Sequence, residues 1–306
     1  MMRKFSCKLF GPLILFPALW SCEQFLEVGL PDQEPRLVIN TLLEPTDTLK
    51  VFLTESRSVL EGRDYDEFPI VSDAQVQLQT SGGEIFPMTF IDKSRPYEPN
   101  AYYYLSGFEL KEHENYEIHA KRTGFESVVG RVQFPELVPI KNISYRNLGP
   151  SESSANFDLV EFALTFDDPP SRNFYELSGQ YYGQSTSEDY SFYSGDLYPT
   201  PVNPAYESYS WFQSGIVFDD LLLTGEDSEL VFTASIPRDV ELEVAIRFSN
   251  VSESFIRYRQ TVGLQNDTRG DILSQPVLVY SNIENGMGIL QARNPNLRVL
   301  NMLLED

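Results

Sequence analysis

The sequence predicts an all-β fold of two β-sandwich-like domains, the first immunoglobulin-like and the second a larger antiparallel β domain with one short helix. Three observations predict it. Aromatic residues make up 13% of the 306 positions, with 21 Phe and 17 Tyr, and aromatic side chains favour strands. The 20 Pro and 18 Gly are spread along the chain, which suits many short strands joined by turns. Apolar residues recur at every second position in run after run, the period of a half-buried strand.

The first domain is expected over residues 36–135. Leu49, Val51 and Leu53 alternate with polar neighbours, and so do Ala74, Val76 and Leu78. Gly82-Gly83 then leads into Phe86, Met88 and Phe90, and the pair of runs reads as a β-hairpin. Tyr102 and Tyr104, then Tyr116, Ile118 and Ala120, give further strands, and Thr123-Gly124 turns the chain into residues 127–134. Several short strands over about 100 residues match an immunoglobulin-like sandwich. Pro135 and Pro139 break pairing and mark the boundary.

The second domain is expected over residues 140–306. Val160, Phe162, Leu164 and Phe166 form one strand, ended by Asp167-Asp168-Pro169-Pro170. Val240, Leu242, Val244, Ile246 and Phe248 form the cleanest strand in the chain. Residues 252–265 read as a helix, with Ser252 as its cap and Phe255, Tyr258 and Val262 on one face. A last strand pair is expected at residues 277–281 and 288–292.

The first 35 residues read as an address and not as part of the fold. Arg3, Lys4 and Lys8 precede an apolar run over residues 9–19, and a bilayer span needs about 20 apolar residues. Leu19-Trp20-Ser21-Cys22 then resembles the lipobox of bacterial lipoproteins, with Trp20 departing from the usual small residue. The resemblance implies a signal peptide at 1–21, a diacylglyceryl thioether on Cys22 and an acylated amine. Several acyl chains anchor stably where one does not. Residues 22–35, with Pro31 and Pro35, read as the lipidated cysteine and a tether.

Charge excludes some functions. Residues 1–21 hold three bases and no acid, so their removal takes the net charge from −22 to −25. Such a surface repels phosphate backbones, and nucleic-acid binding is not expected. Cys7 lies in the removed segment and Cys22 carries the lipid, which leaves no internal disulfide.

Motifs for chemistry are sparse. His113 and His119 are the two histidines. Six residues apart on a strand they lie about 20 Å apart, too far to share a metal, and they read as exposed strand-end residues. No Gly-x-Ser-x-Gly elbow is present. Asp167-Asp168, Asp219-Asp220 and Glu226-Asp227 offer hard oxygen ligands that could suit calcium, but turn chemistry accounts for them. No cofactor, metal site or catalytic residue is expected.

Residues 175–212 are the most unusual stretch. Tyr175, Tyr181, Tyr182, Tyr190, Tyr193, Tyr198, Tyr206 and Tyr209, with Phe192, Trp211 and Phe212, stand among Ser, Gly and Gln. A loop packing its own rings onto the sandwich explains them; so does a partner surface, since Tyr and Trp are enriched at interfaces, or a glycan or peptide site, since such rings also stack on sugars. If the protein has a partner surface, the residues expected to carry it are Tyr181, Tyr182, Tyr190, Tyr193, Tyr206, Tyr209, Trp211 and Phe212.

One longer motif stands near the C-terminus, Gln275-Pro-Val-Leu-Val-Tyr-Ser-Asn-Ile-Glu-Asn-Gly-Met-Gly-Ile289. Asn285-Gly286 supports a turn with positive φ, and Gly288 lets another backbone approach. Leu37-Val38-Ile39-Asn40, residues 71–78, and Phe166-Asp167-Asp168-Pro169 followed by Phe174-Tyr175 stand in order before it. Together these pieces resemble the Bacteroidota lipoproteins of the domain-of-unknown-function family 4249. The resemblance implies an outer-membrane lipoprotein, at the surface or the periplasmic face, of a kind often encoded beside a TonB-dependent receptor. It brings no known catalytic residues. The expected function is therefore a non-enzymatic accessory of such a receptor, capturing a ligand or gating it. The alternatives are a structural or adhesive surface module without a transporter, and a carboxylate-based secreted hydrolase.

Overall fold

Strand-period runs become strands almost throughout. A computed structural model describes residues 34–57, 69–95, 100–152, 154–185, 192–209, 215–223, 225–238, 240–268, 275 and 277–304. The expected signal peptide, Cys22 and most of the expected tether lie outside the described residues.

The first stretch forms β1 (Leu37–Leu43), β2 (Thr48–Glu55), β3 (Gln75–Thr80), β4 (Ile85–Pro87), β5 (Thr89–Asp92), β6 (Ala101–Ser106), β7 (Asn115–Lys121) and β8 (Val128–Gln133). Then follow β9 (Ile140–Ser151), β10 (Ser154–Phe166), β11 (Phe174–Ser185), β12 (Phe192–Asp196), β13 (Thr200–Pro201), β14 (Glu207–Tyr209), β15 (Gly215–Asp219), β16 (Ser228–Pro237) and β17 (Val240–Val251). The chain ends in α1 (Glu253–Asp267), β18 (Ile283–Glu284) and β19 (Met287–Leu303). The fold is all-β with one α-helix among the described residues.

Two sandwiches share one sheet. A ten-stranded sheet runs β14-β15-β11-β17-β19-β1-β2-β6-β5, with β12 paired to β11. A five-stranded sheet, β18-β8-β7-β3-β4, covers one end and a four-stranded sheet, β13-β16-β10-β9, the other. The first core holds Ile39, Val51, Leu78, Ile118 and Phe134, and the second holds Phe162, Phe166, Tyr175, Phe232 and Phe248. The cleanest alternating runs, 160–166 and 240–248, both point into the second core.

The first sandwich is not built from residues 36–135 alone. Its core also takes Ile283, Leu290 and Ala292 from the far end of the chain. β1 pairs with the first half of β19 in parallel, Val38 opposite Met287 through Leu43 opposite Ala292. The second half of β19 pairs antiparallel with β17. One strand thus stitches both cores, and Glu34–Asp306 is one compact unit.

Three local expectations change. The run Phe86, Met88, Phe90 is two strands: Pro87 has no N–H to continue a ladder, so β4 stays with β3 while β5 crosses to β6 in the other sheet. Residues 277–281 form no strand, because the Tyr280 N–H donates to Thr261 Oγ1 at 2.9 Å and the segment lies along α1. Ser252 heads the helix without a side-chain cap bond. Its hydroxyl instead accepts from the Ala292 N–H at 3.0 Å and lies 2.8 Å from Ser254 Oγ. Phe255, Ile256 and Val262 are buried as the helical period requires.

Candidate functional site

The aromatic segment is mostly sheet and not loop. Tyr175 is fully buried at the centre of the second core, stacked on Phe248 at 5.2 Å. Tyr206 is 8% exposed and stacks on Phe218 at 4.4 Å, so it belongs to the core and not to a partner surface. Tyr181 is half-buried against the same core. β11 turns Tyr175 and Tyr181 toward the core, and Tyr206 reaches it from the bend before β14. Tyr182 and Tyr198 are 41% and 64% exposed. Tyr190, Trp211 and Phe212 lie outside the described residues; Tyr193 and Tyr209 take strand positions on β12 and β14, and their rings lie outside the description.

Tyr182 lines an open cavity of about 560 Å³ on β11, β17 and β19, together with Glu241, Glu243, Asn301 and Leu303. Its hydroxyl donates to Gln180 Oε1 at 2.6 Å. This is where the expected aromatic surface and an actual concavity coincide.

A second cavity, of about 470 Å³, opens where the two sandwiches meet. The linker after β8 brings Glu136, the loop before β11 brings Arg172 and Asn173, and the start of α1 brings Glu253 and Ser254. Its floor is polar and tied down. Asn250 Nδ2 donates to Asn173 Oδ1 at 3.1 Å, Asn173 Nδ2 donates to the Pro169 carbonyl at 3.1 Å, and Ser254 Oγ donates to the Leu290 carbonyl at 2.9 Å. Buried polar groups satisfied in this way hold a rigid shape. Sequence reading missed this cleft because its residues come from separate segments scattered between His113 and Asn282.

Charges around the cleft are paired. Arg131 donates to Glu117 at 2.7 Å and also bonds Glu284. The Arg131 guanidinium in turn holds the Glu117 carboxyl below the usual carboxylate range. Arg172 lies 3.6 Å from Asp219, and Glu253 accepts from Arg257 at 2.7 Å.

A family model described as "Domain of unknown function (DUF4249)" matches residues 23–296. The chain belongs to the DUF4249 family. A search of curated proteins gives no match. In this DUF4249 chain the C-terminal motif joins the first sandwich, where β18 pairs with β8 and the start of β19 pairs with β1. Asn285 takes φ 60° at the turn, and Gly288, at φ 102°, lies under β1, where a Cβ would come within 2.1 Å of the Ile39 carbonyl oxygen.

The histidines and acidic turns have local partners. His113 sits in a turn at φ 61°, 3.7 Å from Glu136, while His119 lies within β7 and contacts Glu117 at 2.7 Å. The Lys141 ammonium fills the space between Asp167 and Asp227, at 2.8 and 2.6 Å. That contact lowers the Asp167 carboxyl below its ordinary value. Asp168 accepts from the Tyr175 hydroxyl, Asp219 faces Arg172, and Asp220 accepts from the Asn173 N–H at 2.6 Å. Among the described residues no group of three or more His, Cys, Asp or Glu is placed to hold a metal ion. Among them, too, no helix is long and apolar enough to cross a membrane.

Proposed function

We propose that this DUF4249 protein is a lipid-anchored outer-membrane protein, a non-enzymatic accessory of a TonB-dependent receptor that captures a ligand or gates the receptor's outer face. The observation that carries the reading is the N-terminal sequence: three bases, a short apolar run, and Ser21-Cys22. Residues 22–35 then separate the lipidated cysteine from β1, a reach of roughly 45–50 Å if extended. The ligand-capture half is supported by the cleft between the sandwiches, whose polar floor is already rigid. The receptor half rests on the family resemblance. The non-enzymatic half rests on the same resemblance, which brings no known catalytic residues.

The test is Cys22→Ser with palmitate labelling and membrane fractionation, followed by a pull-down of the lipidated protein from outer membranes. The variant should lose both the label and sedimentation with the outer membrane, and the wild type should bring down a TonB-dependent receptor. A variant that still labels and sediments overturns the anchor. A pull-down without a receptor returns the adhesive-module alternative.

A further inference from the structure

We propose that the cleft between the two sandwiches binds a neutral saccharide. The inference concerns the folded chain alone and holds with or without a receptor. At about 470 Å³ the cleft falls inside the range of small-ligand sites. Its floor residues Asn173, Asn250 and Ser254 are 5%, 2% and 7% exposed. Polar side chains this deep are costly unless matched; the Asn250–Asn173 bond and the bonds to the Pro169 and Leu290 carbonyls fix them before any ligand arrives, which lowers the entropy lost on binding.

Electrostatics chooses the ligand class. Arg131 and Arg172 line the cleft, but Glu117, Glu284 and Asp219 already answer them. Glu136 and Glu253 line it as well. An anion would enter against these carboxylates on a chain of net charge −22. A cation would find Glu253 engaged by Arg257 and Glu136 facing His113. An uncharged ligand avoids both conflicts. Forked guanidinium donors and carboxylate acceptors facing one space suit hydroxyl groups, which donate and accept at once.

One ring completes the match. Phe174 and Tyr280 line the cleft, with Arg172 over the first at 5.1 Å and Arg257 over the second at 5.6 Å. Phe174 also packs against the small core of Val217, Val251, Phe255 and Ile256, so apolar contact with the C–H groups of a sugar falls to Tyr280, which adds a hydroxyl.

The test uses the full lipidated chain in detergent on an array of neutral, sialylated and sulfated glycans, followed by calorimetry on the best neutral hit. Tyr280→Ala and Arg172→Gln should each weaken that affinity by about tenfold or more, with the melting temperature held. Tyr198→Ala, at an exposed ring outside the cleft, should leave it unchanged. No retained neutral glycan, retention of sulfated or sialylated glycans alone, or affinity indifferent to both cleft substitutions would each overturn the proposal. Arg172 is largely exposed, so its variant carries the test if Tyr280→Ala does not fold.

Discussion

Arg293 and Glu176 form a buried ion pair: the guanidinium on β19 donates to the β11 carboxylate at 2.9 Å, with side chains 7% and 0% exposed. Glu44, at the end of β1, accepts from the same guanidinium at 2.7 Å. Burial works against the charge of Arg293, but the two carboxylates outweigh it and hold the proton more firmly than usual. The cluster joins both sandwiches at the point where β19 changes partner. Arg293→Ala would leave the fully buried Glu176 carboxylate without this cation, and stability should fall by about 3–5 kcal/mol. The double variant Arg293→Met with Glu176→Leu should recover most of that loss in urea melts. A single variant that melts with the wild type would show that the pair is not needed.

Gly288 is where β1 and β19 come closest. The left-handed φ and the 2.1 Å approach to Ile39 both oppose a side chain. Gly288→Ala should destabilise by about 2–5 kcal/mol, strain and overpacking together. Gly263 in α1 has open space around a Cβ, so Gly263→Ala should stabilise by about 0.5–1 kcal/mol. Thermal melts of the two variants should therefore move in opposite directions.

Tyr206 and Tyr182 divide the aromatic segment into core and surface. Tyr206→Ala removes a ring stacked inside the second core and should cost about 3–5 kcal/mol. Tyr182→Ala removes an exposed ring and should change stability by less than about 1 kcal/mol. If a partner uses the cavity on β11, β17 and β19, Tyr182→Ala should weaken co-purification at unchanged melting temperature. Loss of stability in Tyr182→Ala would place that ring in the core as well.

Asp168 ties stability to pH. Burial raises its carboxyl above the ordinary 3.8, against the Tyr175 hydroxyl, which lowers it, and with the Asp220 charge adding to the rise. The folded chain therefore keeps this proton to higher pH than the unfolded chain. Stability from this group is fully present below pH 3.8 and declines as pH rises through the raised value. Asp168→Asn removes the decline while its amide oxygen can still accept from Tyr175. The melting temperature of Asp168→Asn relative to wild type should be higher at pH 6 than at pH 3.5. A constant difference across that range would show that Asp168 does not titrate differently on folding.

Periodicity made the strands legible. Residues 49–53, 76–78, 160–166 and 240–248 sit in β2, β3, β10 and β17 with their apolar positions buried, because a strand's two faces are written directly into alternate positions. The helix was legible for the same reason at period 3.6. The family-like motif at 275–289 was visible, and so was the need for close approach at Gly288, because only glycine admits a backbone there.

The sequence by itself determined the fold class, the helix, the negative charge, and the lipobox-like segment ending at Cys22. Only the tertiary structure decided which strands meet. The parallel pairing of β1 with β19 joins residues about 250 apart, and local patterning says nothing about a partner that distant. The same holds for Arg293 between Glu44 and Glu176, for Tyr206 turned into the core, and for the cleft built from Glu136, Arg172, Asn250 and Tyr280. Each of those side chains reads in sequence as an ordinary polar or aromatic residue. Their roles depend on which segments the two cores press together, and burying apolar surface from the whole chain at once sets that arrangement.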